Sequence, residues 1–113
     1  MSHSLVAPRK AVVLVVEDAT GEPGIVGLLL QQLGYRVETA ADSAASLRLL
    51  FEQRPDLVIL GVGAPGHQGW ETLERIRASS SVPVIALGEP GARDLPVRAL
   101  RAGADDVLGK PCR

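Results

Sequence analysis

Three side chains that could do chemistry stand directly after short apolar runs. They are an acidic pair, Glu17 and Asp18, and one lysine, Lys110, while glycines, Gly61 and Gly88, follow two further runs. Carboxylates and an ammonium group can bind ions or pair with each other, whereas glycine offers no nucleophile, acid or base. The sequence shows no nucleophile–base pair and no metal cluster of plausible spacing, so an enzyme is the least expected function.

The elements that position these residues follow from hydrophobic periodicity. Five apolar runs rich in β-branched residues predict strands at 12–16, 37–39, 57–60, 84–87 and 106–108. Stretches with helical spacing separate them, and the first helix is expected to pack through one face made of Ile25, Leu29, Leu30 and Leu33. Continuous apolar strands alternating with helices predict a parallel sheet that is covered on both faces, with right-handed crossovers.

Start and stop residues delimit the helices. Gly34 ends the first, and Asp42 or Ser43 caps the second, which Pro55 stops. Asp94 caps the fourth helix. In the third helix Trp70 shares the inner face with Leu73 and Ile76, so packing is its expected role, and Glu71 and Arg75 are spaced for an i,i+4 ion pair.

The predicted topology gathers distant residues at one edge of the sheet. In open parallel sheets, ligands and chemistry lie beyond the carboxyl ends of the strands. That edge is where Glu17, Asp18, Gly61, Gly88 and Lys110 are expected to meet. A glycine pattern at positions 21, 24 and 27 also invites comparison with nucleotide-binding loops, but its spacing fits neither the dinucleotide fingerprint nor the P-loop.

Several stretches of the chain resemble a known family. The segments VVLVVEDA, RPDLVIL, VPVIAL and VRALRAGADDVLGKP are similar to the receiver domain of bacterial two-component response regulators. The resemblance covers residues 10 to 112 and implies a flavodoxin-like (βα)5 doubly wound parallel sheet of order 2-1-3-4-5, with the fifth helix missing from this chain. The run AGADD…KP is most similar to receivers attached to winged-helix DNA-binding domains.

The chain departs from the pattern that the resemblance implies. Working receivers have an acidic pair, an acceptor aspartate, a hydroxyl residue, an aromatic residue and a lysine. The pair (Glu17, Asp18) and the lysine (Lys110) are kept, but Gly61 stands for the acceptor, Gly88 for the hydroxyl and Val107 for the aromatic. No acyl phosphate can form on glycine, so we expect a degenerate phosphorylation pocket with no catalytic residue.

The metal site that the resemblance implies is reduced in the same way. Glu17, Asp18 and the carbonyl of Gly63 are the vestigial Mg²⁺ ligands, without the acceptor carboxylate and the phosphate that complete an oxygen shell. We therefore expect no cofactor and weak Mg²⁺ binding at most. Lys110 is then expected to pair directly with Asp18.

The resemblance also implies an interaction surface. In winged-helix-type regulators the face of the fourth helix, fifth strand and fifth helix mediates dimerisation, and Arg98, Arg101, Asp105 and Asp106 stand where that partner interface would be. The partners of the two aspartates are expected on the fifth helix. The predicted domains are a disordered segment, 1–9, and a receiver-like domain, 10–113, from which the last helix and any effector domain are absent.

The expected function is an atypical receiver domain that is not phosphorylated and regulates a DNA-binding effector through protein contacts or dimerisation. The alternative is a small-molecule sensor that uses the vacated acidic pocket. A net charge of −1 excludes long-range attraction to nucleic acid or anionic membranes, so DNA is expected only through an effector outside this chain. One cysteine and the lack of an apolar leader favour a cytoplasmic location.

Overall fold

The computed structural model of the chain describes residues 10–16, 24–62, 69–88 and 95–109. Strands and helices alternate, and the predicted order of elements is confirmed. Their bounds are β1 (Val12–Val16), α1 (Gly24–Gln32), β2 (Arg36–Ala40), α2 (Ser43–Gln53), β3 (Leu57–Gly61), α3 (Gly69–Ser79), β4 (Val84–Gly88), α4 (Leu95–Arg101) and β5 (Asp106–Gly109). The segment 1–9, predicted to be disordered, lies outside the described residues.

The five strands form one parallel sheet of order β2-β1-β3-β4-β5, which confirms the predicted flavodoxin-like topology. All strands run the same way, so their carboxyl ends share one edge. The described residues contain four helices, as the sequence predicts. None of these helices has both the length and the apolar character needed to cross a membrane.

Helices cover the sheet on both faces and create two cores. The larger core joins α2, α3 and α4 to one face, with Leu60, Leu73 and Ile76 fully buried. The smaller core lies under α1 and is made of Val13, Val15, Ile59 and Leu87, with Val26 and Leu30 packed against it. Every residue of β1, which lies between β2 and β3, is buried, and its sequence is accordingly a continuous apolar run.

Helix α1 packs through a different face from the one predicted. Leu30 does contact the smaller core, but its partners on the helix are Val26 and the buried Gly27. Ile25, Leu29 and Leu33 are 67%, 54% and 73% exposed. At 100° per residue these three residues form a stripe along one side of the helix, beside the stripe that faces the sheet. Among the described residues, no helix or strand covers this second stripe. An apolar face of α1 therefore remains uncovered.

The predicted ends of α1 and α2 are confirmed. Asp42 caps α2, because its Oδ1 accepts a hydrogen bond of 2.8 Å from the backbone N–H of Ala45. Arg54, with φ of 48°, closes that helix just before Pro55. Gly34 has φ of 99°, a backbone conformation that favours glycine, and lies two residues after Gln32, the last residue of α1. Asp94, the predicted cap of α4, lies outside the described residues.

Two aspartates hold the amino-terminal edge of the sheet in the same way. The N–H of Asp56 donates to the carbonyl of Val12, and the N–H of Val12 donates to Asp56 Oδ2, both at 2.8 Å. Asp105 forms the same pair of bonds with Val84, again at 2.8 Å. The carboxylate thus satisfies the N–H of a buried residue that begins a strand, a group that would be costly to leave unpaired.

Asp105 has a second partner, Arg77, near the end of α3. The distance between Arg77 Nη2 and Asp105 Oδ2 is 2.9 Å. The same guanidinium donates to the carbonyl of Gly103 at 2.8 Å and to that of Ser80 at 3.1 Å. One arginine therefore joins the end of α3 to the loop between α4 and β5.

Replacing Asp105 by alanine is expected to lower the free energy of unfolding by about 1–2 kcal/mol, because the buried N–H of Val84 loses its acceptor. Urea denaturation followed by circular dichroism measures this. Asp106→Ala is the control, since Asp106 is exposed and, among the described residues, its carboxylate accepts from the N–H of the next residue, Val107, alone. That variant should stay within about 0.5 kcal/mol of the wild type. Equal effects of the two substitutions would contradict the role given to Asp105.

Candidate functional site

The structure places the two predicted site glycines on neighbouring strands at the carboxyl edge of the sheet. Gly61 ends β3 and pairs in register with Leu87, and Gly88, the next residue, ends β4. Both glycines are buried. This part of the predicted crevice is therefore brought together as expected. Glu17, Asp18, Gly63 and Lys110, the other predicted members, lie outside the described residues.

The first residue of α3 packs directly on the end of β3. A Cβ atom added to Gly69 would clash with the carbonyl oxygen of Gly61 and would lie 2.8 Å from the Cα atom of Val62. The backbone of α3 therefore contacts the backbone of β3 directly at the end of the strand. Gly69 is not among the predicted site residues, and the only signal for it in the sequence is a glycine at the predicted start of a helix, immediately before Trp70.

The space beside Gly88 is filled by the side chain of Leu95. A Cβ atom added to Gly88 would lie 2.7 Å from Leu95 Cδ1 and closer still to Cδ2. Leu95 is the first residue of α4, is 7% exposed and belongs to the larger core. The vacated pocket on which the small-molecule sensor alternative depends therefore has no free space beside Gly88. A glycine on β4 lets an apolar side chain from the next helix approach the strand backbone.

The described part of the crevice offers few groups that could bind an ion or react. Gly61 and Gly88 provide backbone groups only, and Val107 is half-buried against the larger core. Within residues 10–16, 24–62, 69–88 and 95–109, no group of three His, Cys, Asp or Glu side chains could hold a metal ion. The described positions thus add no side-chain oxygen to a Mg²⁺ shell, and weak Mg²⁺ binding by Glu17 and Asp18 stays a prediction.

The four residues predicted to form the partner interface are distributed over three environments. Arg98 and Arg101 are exposed on α4 and line a groove between α3 and α4. Asp105 is paired with Arg77 of α3 within the domain, and a further partner on a fifth helix stays a prediction. Asp106 is exposed on β5 and accepts from the N–H of Val107. Arginines and aspartates therefore do not form one charged set within the described structure.

The comparisons with known proteins agree with this fold. Residues 13–113 match the family model described as the response regulator receiver domain. The chain belongs to this family. Receiver domains of transcriptional regulators are signalling domains and not enzymes.

Curated relatives of this receiver domain include two transcriptional regulatory proteins. AfsQ1 of Streptomyces coelicolor is 41% identical over 98 residues, which are 87% of this chain and 44% of the relative. KdpE of Mycobacterium tuberculosis is 41% identical over an alignment of 102 residues that covers 88% of this chain and 44% of the relative. The chain therefore spans less than half the length of these relatives.

Solved structures share the architecture of this receiver domain. The chemotaxis protein CheY4 of Vibrio cholerae superposes with a TM-score of 0.80 and 30% identity, over 93% of this chain and 90% of that one. The flavodoxin-like fold expected from the resemblance is thus confirmed.

Proposed function

We propose that this receiver domain is a pseudo-receiver, which is not phosphorylated at the usual position and signals through protein contacts. One observation carries the proposal: the buried residue that ends β3 is Gly61, where the family pattern has its acceptor aspartate. Glycine has no oxygen that could attack a phosphoryl group. Gly88 and Val107 extend the argument, because hydroxyl and aromatic side chains are missing at the two further positions.

No described carboxylate near the strand end substitutes for the acceptor. Asp56 precedes β3 at its opposite end, five residues from Gly61, which is about 16 Å along an extended strand. Its Oδ2 already accepts from the N–H of Val12. The Asp56 carboxylate therefore anchors the start of β1 and does not lie at the phosphorylation position.

The partners we propose are a DNA-binding effector, a protein partner or a second copy of the domain. The chain matches transcriptional regulators over less than half of their length, so an effector domain belongs to the proposal and lies outside this sequence. Regulation of transcription would take place in the cytoplasm. The uncovered stripe of Ile25, Leu29 and Leu33 supports the same view, because a further helix or a second chain would bury it.

Incubation of the 113-residue chain with a small-molecule phosphodonor and Mg²⁺, followed by intact-mass measurement, tests the proposal. We expect no covalent phosphoryl adduct on the wild type. Gly61→Asp is the companion variant. It restores a carboxylate at the acceptor position and so reports whether the other groups of the pocket can still support its phosphorylation. A stable phosphoryl adduct on the wild-type chain would refute the pseudo-receiver proposal, whatever carboxylate carries it.

A further inference from the structure

A groove between α3 and α4 shares no lining residue with the predicted strand-end crevice. It encloses about 370 Å³ and is lined by Trp70 and Glu74 from α3 and by Val97, Arg98, Arg101 and Ala102 from the α4 side. Its volume falls within the range of about 300–1,000 Å³ that is usual for binding sites. The lining combines apolar surface with two guanidinium groups and one carboxylate.

Arg98 is held in place by the indole of Trp70. Its Cζ atom lies 4.2 Å from the centroid of the Trp70 ring, a cation–π geometry. Trp70 is itself fixed, since it packs against the larger core. Stacking uses the flat face of a guanidinium and leaves its N–H groups free at the edge, in the fork that matches a carboxylate. Less side-chain entropy is then lost when an anion binds.

Both arginines of the groove lack an acidic partner within the described structure. The ion pairs found there join Arg36 to Glu38, Arg75 to Glu71 and Arg77 to Asp105. Arg98 and Arg101 take part in none of them, and neither does Glu74. The groove thus carries a net charge of +1 from two arginines and one glutamate, beside the 54% exposed side chain of Val97.

We propose that this groove binds an acidic segment of a partner protein. A partner carboxylate pairs with Arg98 and Arg101, and a neighbouring apolar side chain lies on Val97 and the edge of Trp70. Glu74 disfavours a second carboxylate on the α3 side and so selects for one orientation of the segment. The inference rests on the proposed function, because it assigns a partner chemistry to a domain that acts through protein contacts.

Titration with a synthetic peptide tests this groove directly, because Trp70 is the only tryptophan of the chain. The probe is acetylated, amidated Glu-Leu-Glu-Glu-Leu-Glu, and the matched probe has glutamine in place of each glutamate. We expect a saturable change of Trp70 emission with the acidic peptide that weakens as salt is raised, and none with the neutral one. Loss of charge-assisted hydrogen bonds should weaken binding about tenfold in Arg101→Ala, which keeps the stack of Arg98 on Trp70 intact.

Arg48→Ala is the control variant, since Arg48 is exposed on α2 outside the groove, and its affinity for the peptide should equal that of the wild type. The proposal is overturned if the acidic peptide gives no saturable change, if the glutamine peptide binds equally well, or if Arg101→Ala binds as the wild type does. Such a failure leaves the pseudo-receiver proposal standing, because only the mass measurement decides whether the domain is phosphorylated.

Discussion

Replacing Gly69 by alanine is expected to lower the free energy of unfolding by about 3 kcal/mol, at the upper end of the usual cost of overpacking. The new methyl group would clash with the carbonyl oxygen of Gly61 and lie 2.8 Å from the Cα atom of Val62. Backbone atoms inside a sheet cannot rotate away as a side chain can, so α3 as a whole must shift. The loss is a large share of the 5–15 kcal/mol that stabilises a typical domain. Urea denaturation followed by circular dichroism measures it.

Gly34→Ala is the matched control for this substitution. Gly34 has φ of 99°, and an added Cβ there would have no atom within 4 Å. It therefore carries only the backbone cost of a left-handed conformation, about 1–2 kcal/mol. We expect Gly69→Ala to lower the free energy of unfolding more than Gly34→Ala does. This order holds although Gly69 lies in a helix, where alanine is intrinsically favoured over glycine. If Gly69→Ala cost no more than the control, the close contact between α3 and β3 would be wrong.

Gly88→Thr, which restores a hydroxyl side chain to β4, is expected to cost about 1–3 kcal/mol on its own, because Leu95 occupies the space. Leu95→Ala alone should cost at least about 2 kcal/mol, since it empties a buried position. Together the two changes should cost less than their sum, with a coupling free energy of about 1–2 kcal/mol, because alanine makes room for threonine. A double-mutant cycle by urea denaturation measures the coupling.

Val97→Ala provides the comparison cycle. Val97 lies on the same helix and is 54% exposed, and the three atoms nearest an added Gly88 Cβ all belong to Leu95, so the effect of Val97→Ala should add to that of Gly88→Thr. Additive losses for the Leu95 pair as well would show that Leu95 does not fill the hydroxyl position. A positive result means that restoring the family pattern takes more than replacing the missing polar residues. The neighbouring core has to change with them.

The topology of this domain was predictable because buried parallel strands read as continuous apolar runs. All five strands lie where the runs predict them, each extended by at most two residues, and Asp42 and Gly34 act at the helix ends as their residue types predict. These features depend on residues close together in the chain.

Features that depend on tertiary approach were not predictable in the same way. Leu95 over Gly88 and Gly69 on Gly61 are contacts between elements, and their distances follow from how α3 and α4 lie on the sheet. Arg77 meets Asp105 across 28 positions of sequence. The face of α1 was mistaken because the apolar stripe of Ile25, Leu29 and Leu33 fits the helical period equally well, and periodicity does not show which stripe the sheet covers.

The paired bonds of Asp56 with Val12 and of Asp105 with Val84 have a practical consequence for chemical labelling. Reagents that convert carboxylates to amides or esters would remove charged acceptors at the starts of β1 and β4, far from any position where a phosphoryl group would be held. Disruption of the domain by such a reagent would therefore report damage to strand anchoring. It would not identify a reactive acid in the crevice.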